Sequence, residues 1–78
     1  MEKTTYPHEK LQNFQKHSPD AVILYPVGDF YEVYGEEKGK MIMEMVGIKG
    51  SKMGFPKYLF PTFCKIFVDN NLNIVLMP

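Results

Sequence analysis

Apolar residues recur along the chain with two different spacings, one typical of helices and one typical of strands. Three segments combine helical spacing with residues that begin or end helices: 6–17, 35–47 and about 58–70. Three others have the continuous or alternating apolar pattern of strands: 21–25, 30–34 and 73–77. Residues 48–53 are predicted to form a tight hairpin with Gly50-Ser51 as its loop. This order predicts a small α/β (α+β) fold, a mixed sheet flanked by about three helices.

Single residues mark the ends of these elements. Gly47 is predicted to end the second helix, and Asn71 to take a left-handed conformation after the third. Glu36 and Lys40 are expected to pair along the second helix. The proline and glycine of segment 26–29 are predicted to break or bend the chain between the first two strands. The third helix is expected to bury one apolar face, formed by Phe60, Phe63, Cys64, Phe67 and Val68.

The composition fits one small domain of 78 residues with zero net charge, in which the charge is unevenly spread. Residues 1–37 carry three lysines and seven acidic residues, a net of −4, whereas residues 38–65 carry six lysines and one acid, a net of +5. All nine basic residues are lysine, although arginine is the usual side chain for bidentate contacts with phosphate and guanine. We therefore do not expect a strong, free-standing reader of DNA sequence, and a weak binder with one basic face fits better.

Signs of enzyme or metal chemistry are scarce. No nucleophile is paired with a base, no glycine-rich phosphate loop occurs, and no Cys, His or carboxylate cluster has metal-ligand spacing. The single cysteine, Cys64, lies on the apolar face of the third helix and is predicted to be an inert core thiol. We expect a non-enzymatic protein without a cofactor. Because no segment is long and apolar enough to span a bilayer, we expect it to be cytoplasmic, without a membrane partner.

The most informative segment is Gly28-Asp29-Phe30-Tyr31-Glu32, directly after an apolar strand. Alternate side chains of an extended chain share a face, so Phe30 and Glu32 are predicted to point one way and Tyr31 and Val33 the other. A ring and a carboxylate side by side can stack on a nucleobase and test a hydrogen bond beside it. The simpler alternative is that Phe30 is an ordinary core ring and Glu32 a solvated strand residue.

The longer run from Ile23 to Tyr34, Ile-Leu-Tyr-Pro-Val-Gly-Asp-Phe-Tyr-Glu-Val-Tyr, resembles the start of the mismatch-recognition domain of the MutS family, the DNA mismatch-repair ATPases. Met53-Gly54-Phe55-Pro56 stands where that family has a Gly-Ile-Pro-like turn, followed by an amphipathic helix and a strand. The resemblance implies a single MutS domain I-like module over residues 1–78. It covers nearly the whole chain but about the first two-thirds of the family's first domain, so the last part of that domain is expected to be lacking.

The resemblance also implies a mode of DNA binding. Phe30 would enter from the minor groove and stack on an unpaired or mispaired base, while Glu32 would form a hydrogen bond with that base. Lys49, Lys52 and Lys57 form a phosphate-facing patch in this hypothesis, or equally a solvated hairpin. The implied partner is double-stranded DNA with a mismatch, bound weakly by this chain alone.

The chain also departs from the family pattern. Pro26 replaces a basic residue common before the motif, and Tyr58 stands where the family tends to place His. No P-loop of the form Gly-x-x-x-x-Gly-Lys-Ser/Thr occurs in these 78 residues, so the ATP binding of the full-length family is not expected here. The alternative hypothesis is a protein-interaction or regulatory module that keeps the fold without mismatch binding. Its exposed sheet edge would then contact a protein partner or a second copy.

Overall fold

The secondary structure follows the predicted order closely. A computed structural model describes residues 8–50 and 53–78. Three α-helices and four strands are present in this part of the chain, with a 3₁₀ turn at Lys57–Leu59. The bounds of the elements are α1 His8–His17, β1 Ala21–Val27, β2 Phe30–Val33, α2 Glu36–Val46, β3 Gly54–Pro56, α3 Phe60–Asp69 and β4 Asn73–Leu76.

The four strands form one mixed sheet in the order β3-β2-β1-β4. Strand β1 pairs antiparallel with β2 and parallel with β4, and β2 pairs antiparallel with β3. The predicted small α+β fold is therefore confirmed. The first four residues of β1, Ala21 to Leu24, are at most 1% exposed, which confirms that this strand is buried on both faces.

One face of the sheet carries the main core. Val22 and Leu24 of β1 pack there with Val33 of β2 and Phe55 of β3. Helices α2 and α3 cover them with Ile42, Met43, Phe63 and Phe67. Phe55 is fully buried, and its ring centroid lies 5.1 Å from that of Phe63 and 6.2 Å from that of Tyr31. These edge-to-face contacts join β2, β3 and α3 into one aromatic cluster.

The other face is covered only in part. Leu11 of α1, Ala21 and Ile23 are buried but lie outside the main core cluster, and strand alternation puts Ala21 and Ile23 on the opposite side from Val22 and Leu24. The Gln15 side chain donates to the carbonyl oxygens of Ser18 and Ala21, at 2.8 and 3.0 Å. These bonds fix α1 over the start of β1, so the end of β1 beyond Leu24 is less covered.

The two-residue hairpin lies elsewhere than predicted. It joins β1 to β2 through Gly28-Asp29, where Val27 pairs with Phe30. The predicted bend between the two strands is therefore present at residues 28–29, but Pro26 and Val27 belong to β1 and not to the break. Pro26 is tolerated in β1 because the pairing register with β4 ends at Leu24, so among the described residues Pro26 faces β2 alone. Gly28 takes a φ of 60°, which suits the first position of such a turn.

The predicted hairpin over 48–53 is wrong in its first arm. Ile48 and Lys49 form no strand; instead the Ile48 N–H donates to the carbonyl oxygen of Met43 at 2.9 Å. This bond, with Gly47 at a φ of 80°, closes the end of α2 and confirms the predicted stop. Ser51 and Lys52, the other part of the predicted hairpin, lie outside the described residues.

Helix α3 begins two residues later than predicted and buries a different stripe. Phe63 and Phe67 are buried and Phe60 packs against the core, but Val68 is 66% exposed, so its assignment to the buried face is wrong. Ile66 packs against the core instead. Residues three and four positions after Phe63 lie on the same helix face as Phe63, and these residues are Ile66 and Phe67. Asn71 has the predicted left-handed φ of 57°, and the Lys40–Glu36 ion pair is present at 3.7 Å.

Residues 8–50 and 53–78 contain neither a membrane-spanning helix nor a cluster of metal-ligand side chains. No helix there is both long and apolar enough to cross a membrane. No group of three or more His, Cys, Asp or Glu side chains is placed to hold a metal ion in that part of the chain.

Phe55→Ala is expected to lower the free energy of unfolding by about 3–5 kcal/mol, because the lost ring leaves a cavity at the junction of β2, β3 and α3. This loss approaches the whole stability of a small domain, so the variant should be largely unfolded at 25 °C. Urea titration followed by circular dichroism measures the effect. Tyr58→Ala is the control, since Tyr58 is 78% exposed and its loss should change stability by less than about 0.5 kcal/mol. Equal effects of the two substitutions would contradict the assigned core.

Candidate nucleic-acid interface

The β1–β2 hairpin presents one half-open side of the sheet. Because residues opposite each other in an antiparallel pair share a face, the register Tyr25↔Glu32, Val27↔Phe30 and Phe30↔Pro56 puts these five side chains on one side. We call this set, Tyr25, Val27, Phe30, Glu32 and Pro56, the hairpin face. All five are half-buried or exposed, because α1 covers the other end of this side of the sheet.

Phe30 is the most exposed member of the hairpin face. It is the first residue of β2, directly after the turn, and is 36% exposed. It lies outside the main core cluster, so the alternative that it is an ordinary core ring is wrong. Its neighbour Tyr31 points to the opposite side, where its ring packs against Phe55 and Phe60 with centroids 6.2 and 5.7 Å apart. Phe30 and Glu32 therefore point to one side of the sheet and Tyr31 and Val33 to the other, which confirms the predicted alternation.

Glu32 is half-buried between two neighbouring strands. On one flank, the Tyr25 hydroxyl donates to Glu32 Oε1 at 3.3 Å. On the other flank lies Gly54, its partner in β3. The pKa of Tyr25 is raised above 10.0, first because burial disfavours the phenolate and then because of the negative charge and hydrogen bond of Glu32. Tyr25 is thus protonated and able to donate near neutral pH.

Gly54 allows β3 to approach β2 beside this carboxylate. A Cβ atom at residue 54 would lie 2.5 Å from the backbone oxygen of Tyr31 and 3.2 Å from Cγ of Glu32. Both distances are shorter than ordinary van der Waals contact, and the nearer atom belongs to the backbone and cannot turn aside. Glycine is therefore required for close packing of the two strands here.

Two of the three predicted lysines, Lys57 and Lys49, belong to the described residues and lie at different places. The backbone N–H of Lys57 donates to the carbonyl oxygen of Asp29 at 2.8 Å, which ties the 3₁₀ turn to the hairpin tip. Its ammonium lies 5.6 Å from the centroid of the Tyr31 ring, a cation–π contact on the side opposite Phe30. Lys49 lies between α2 and β3, where it lines a shallow cavity of about 440 Å³ that includes no hairpin-face residue among its described walls. Lys52 lies outside the described residues.

Sequence reasoning missed three members of the hairpin face, Tyr25, Val27 and Pro56. The signal was present as an alternation that continues from Ile23 through Val27. Because Pro26 was expected to break the strand, the alternation was not followed to the turn, and the pairing of Tyr25 with Glu32 was not foreseen.

The family model of MutS domain I matches residues 8–77. The chain belongs to the MutS domain I family. MutS domain I is a mismatch-recognition, DNA-binding domain and not a catalytic one. The resemblance seen in Gly28-Asp29-Phe30-Tyr31-Glu32 and its surroundings is thereby confirmed, and in this MutS domain I the motif forms the hairpin turn and the start of β2.

Gly54→Ala is expected to lower the free energy of unfolding by about 1–3 kcal/mol, because the new methyl group meets the Tyr31 carbonyl and forces β3 away from β2. Backbone amide shifts in NMR spectra should change most along β3 and at Glu32. The control is Thr62→Ala, an exposed position on α3, which should leave both measurements nearly unchanged. Wild-type stability and unchanged β3 shifts in Gly54→Ala would contradict the close approach of the strands.

Proposed function

We propose that this MutS domain I binds duplex DNA at mispaired or unpaired bases through the hairpin face, with Phe30 as the wedge and Glu32 as the group that forms a hydrogen bond with the base. The observation that carries the proposal is an exposed phenyl ring at the end of a tight hairpin, with a carboxylate two residues away on the same side of the sheet. Family membership supports DNA as the ligand.

The energetics of inserting a side chain favour a mismatch over a paired site. An apolar wedge must unstack a base step, at a cost of a few kcal/mol, and it bends the duplex. A mispaired or unpaired base is already poorly stacked, so less of that cost remains. Discrimination then comes from how easily the duplex deforms, and the Glu32 carboxylate adds a hydrogen bond to a base that insertion has displaced.

The charges at this end of the molecule imply weak binding by the chain alone. Asp29 and Glu32 are both acidic and close to Phe30 in sequence, and the chain has no arginine and zero net charge. Few phosphate charges are then neutralised, and affinity should depend only modestly on salt. We include Lys57, Lys49 and Lys52 as phosphate contacts. The backbone of Lys57 is bonded to the hairpin tip, while its ammonium lies over the Tyr31 ring on the side of the sheet opposite Phe30.

Phe30→Ala is expected to abolish the preference for mismatched over matched duplex. The measurement is an NMR titration at low salt with a short duplex carrying a G·T mismatch or an unpaired thymine, against the matched duplex. In the wild-type chain, shifts should centre on the hairpin face and be larger for the mismatch. The matched control is Phe14→Ala, which removes a ring of similar exposure, 39%, from α1, away from the hairpin face.

The wedge role fails if Phe30→Ala weakens binding to both duplexes equally, because that result indicates a general contact. An absence of shifts in the wild-type chain with either duplex would contradict DNA binding by the chain alone. A loss of preference in Phe14→Ala as large as that in Phe30→Ala would point to a change in the fold.

A second candidate function is a protein-interaction module that uses the edge of β4. The sheet ends at this strand, with no further strand on its outer side among residues 8–50 and 53–78. Residues 70–78 carry no charge, and Leu76 is 40% exposed, so the edge lacks the lysines that commonly prevent strand pairing. A second copy of the chain is the simplest occupant, through pairing of the two β4 edges.

Sedimentation velocity over a range of protein concentrations tests this candidate. Pairing at β4 predicts a dimer that Leu76→Lys dissociates, because a charge on the edge disfavours strand addition. Val68→Lys is the control, since Val68 is exposed on α3 and belongs to no strand. A chain that stays monomeric at all concentrations, or a dimer that both substitutions weaken equally, would contradict an interface at the β4 edge.

A further inference from the structure

We infer that Tyr25 is a positioning residue for Glu32, which holds the carboxylate in place for the base through a cross-strand hydrogen bond. This inference rests on the proposed function of the hairpin face. Tyr25 and Glu32 are direct partners in the β1–β2 register, so their side chains leave the sheet together on the same side. The hydroxyl donates to Oε1 across 3.3 Å, between a central strand and the strand that carries the wedge.

The two partners differ in how firmly the fold holds them. Tyr25 follows four residues of β1 that are at most 1% exposed, so its backbone is fixed by packing on both faces. A tyrosine ring turns about two side-chain torsions, whereas a glutamate carboxylate turns about three and loses more freedom when it is ordered. A hydrogen bond from the better-ordered partner therefore restricts the carboxylate before DNA arrives, which lowers the entropy cost of binding.

The surroundings allow the carboxylate to be held from one side and remain accessible from the other. Gly54 has no side chain to cover Glu32 from β3, and Glu32 itself stays half-buried. Within the described residues, Tyr25 is the side chain that donates to this carboxylate, and its bond occupies Oε1. The carboxylate keeps acceptor capacity on Oε2 for a donor on the displaced base.

The chemistry of the pair supports the same direction of donation. The raised pKa of Tyr25 has three causes beyond burial: the charge of Glu32, the hydrogen bond to Glu32 and the nearby Tyr34. The phenol is thus the proton donor near neutral pH, and the Glu32 carboxylate accepts the hydrogen bond.

A double-mutant cycle tests the inference with four proteins: the wild-type chain, Tyr25→Phe, Glu32→Ala and the double variant. Tyr25→Phe should reduce the ratio of mismatch to matched affinity by about threefold to tenfold, the size expected for one ordinary hydrogen bond, because the bond of 3.3 Å is long. The ratio compares two duplexes bound by the same protein, so a general change in affinity cancels, and the urea midpoint of each variant reports any loss of stability. In the Glu32→Ala background, Tyr25→Phe should have no further effect, because the group it positions is gone.

Tyr58→Phe is the matched control, since it removes a hydroxyl from a tyrosine that is 78% exposed and outside the hairpin face. It should leave the affinity ratio unchanged. If Tyr25→Phe leaves the ratio unchanged, or reduces it equally with and without Glu32, the positioning role is overturned.

A measurement without DNA separates this inference from the proposed function. The pKa of Tyr25, followed by NMR of ¹³C-labelled tyrosine rings, should fall in Glu32→Ala relative to the wild-type chain. An unchanged pKa overturns the hydrogen bond itself. If Glu32→Ala lowers the pKa of Tyr25 but the wild-type chain binds both duplexes equally, the Tyr25–Glu32 pair stands. Mismatch recognition is then overturned, and with it the role of Tyr25 toward a base.

Discussion

The antiparallel pairing of β1 with β2 across the Gly28-Asp29 turn is the constraint on which the rest of the structure depends. It sets the register that puts Phe30 and Glu32 on one side of the sheet and Tyr31 and Val33 on the other. A shift of one residue would reverse both pairs and put a carboxylate in the core. Packing on the buried side therefore specifies the register, and the register in turn fixes the positions of Phe30 and Glu32 on the exposed side.

The aromatic cluster and the hairpin face are two sides of the same few residues. Tyr31 packs against Phe55 and Phe60 below the sheet, while Phe30 stands above it. In the proposed binding mode Phe30 must resist being pushed back, and the edge-to-face contacts of its neighbour Tyr31 hold the start of β2 in place. Lys57 adds a backbone bond to Asp29, so the hairpin tip is also fixed by the 3₁₀ turn that follows β3.

Much of this arrangement was predictable from sequence because local signals and packing agree. Gly47, Asn71 and the Glu36–Lys40 pair behave as their residue types suggest. The failures occurred where tertiary pairing decides: Pro26 fits in β1 only because β4 pairs no further than Leu24, which a local pattern does not reveal. The motif likewise identified Phe30 and Glu32, but the contact of Tyr25 with Glu32 depends on a strand register that was not foreseen.

In the proposed function, the charge around the hairpin face would make the site selective without tight binding. Carboxylates near a duplex are repelled by phosphate, so an acidic tip with Asp29 and Glu32 disfavours close approach to DNA that offers no compensating contact. In a well-stacked duplex the full cost of unstacking must be met, and no displaced base is available to Glu32. A mismatch lowers the cost of unstacking and provides a displaced base. The same carboxylate that lowers general affinity thus increases the difference between the two duplexes, and specificity depends on that difference.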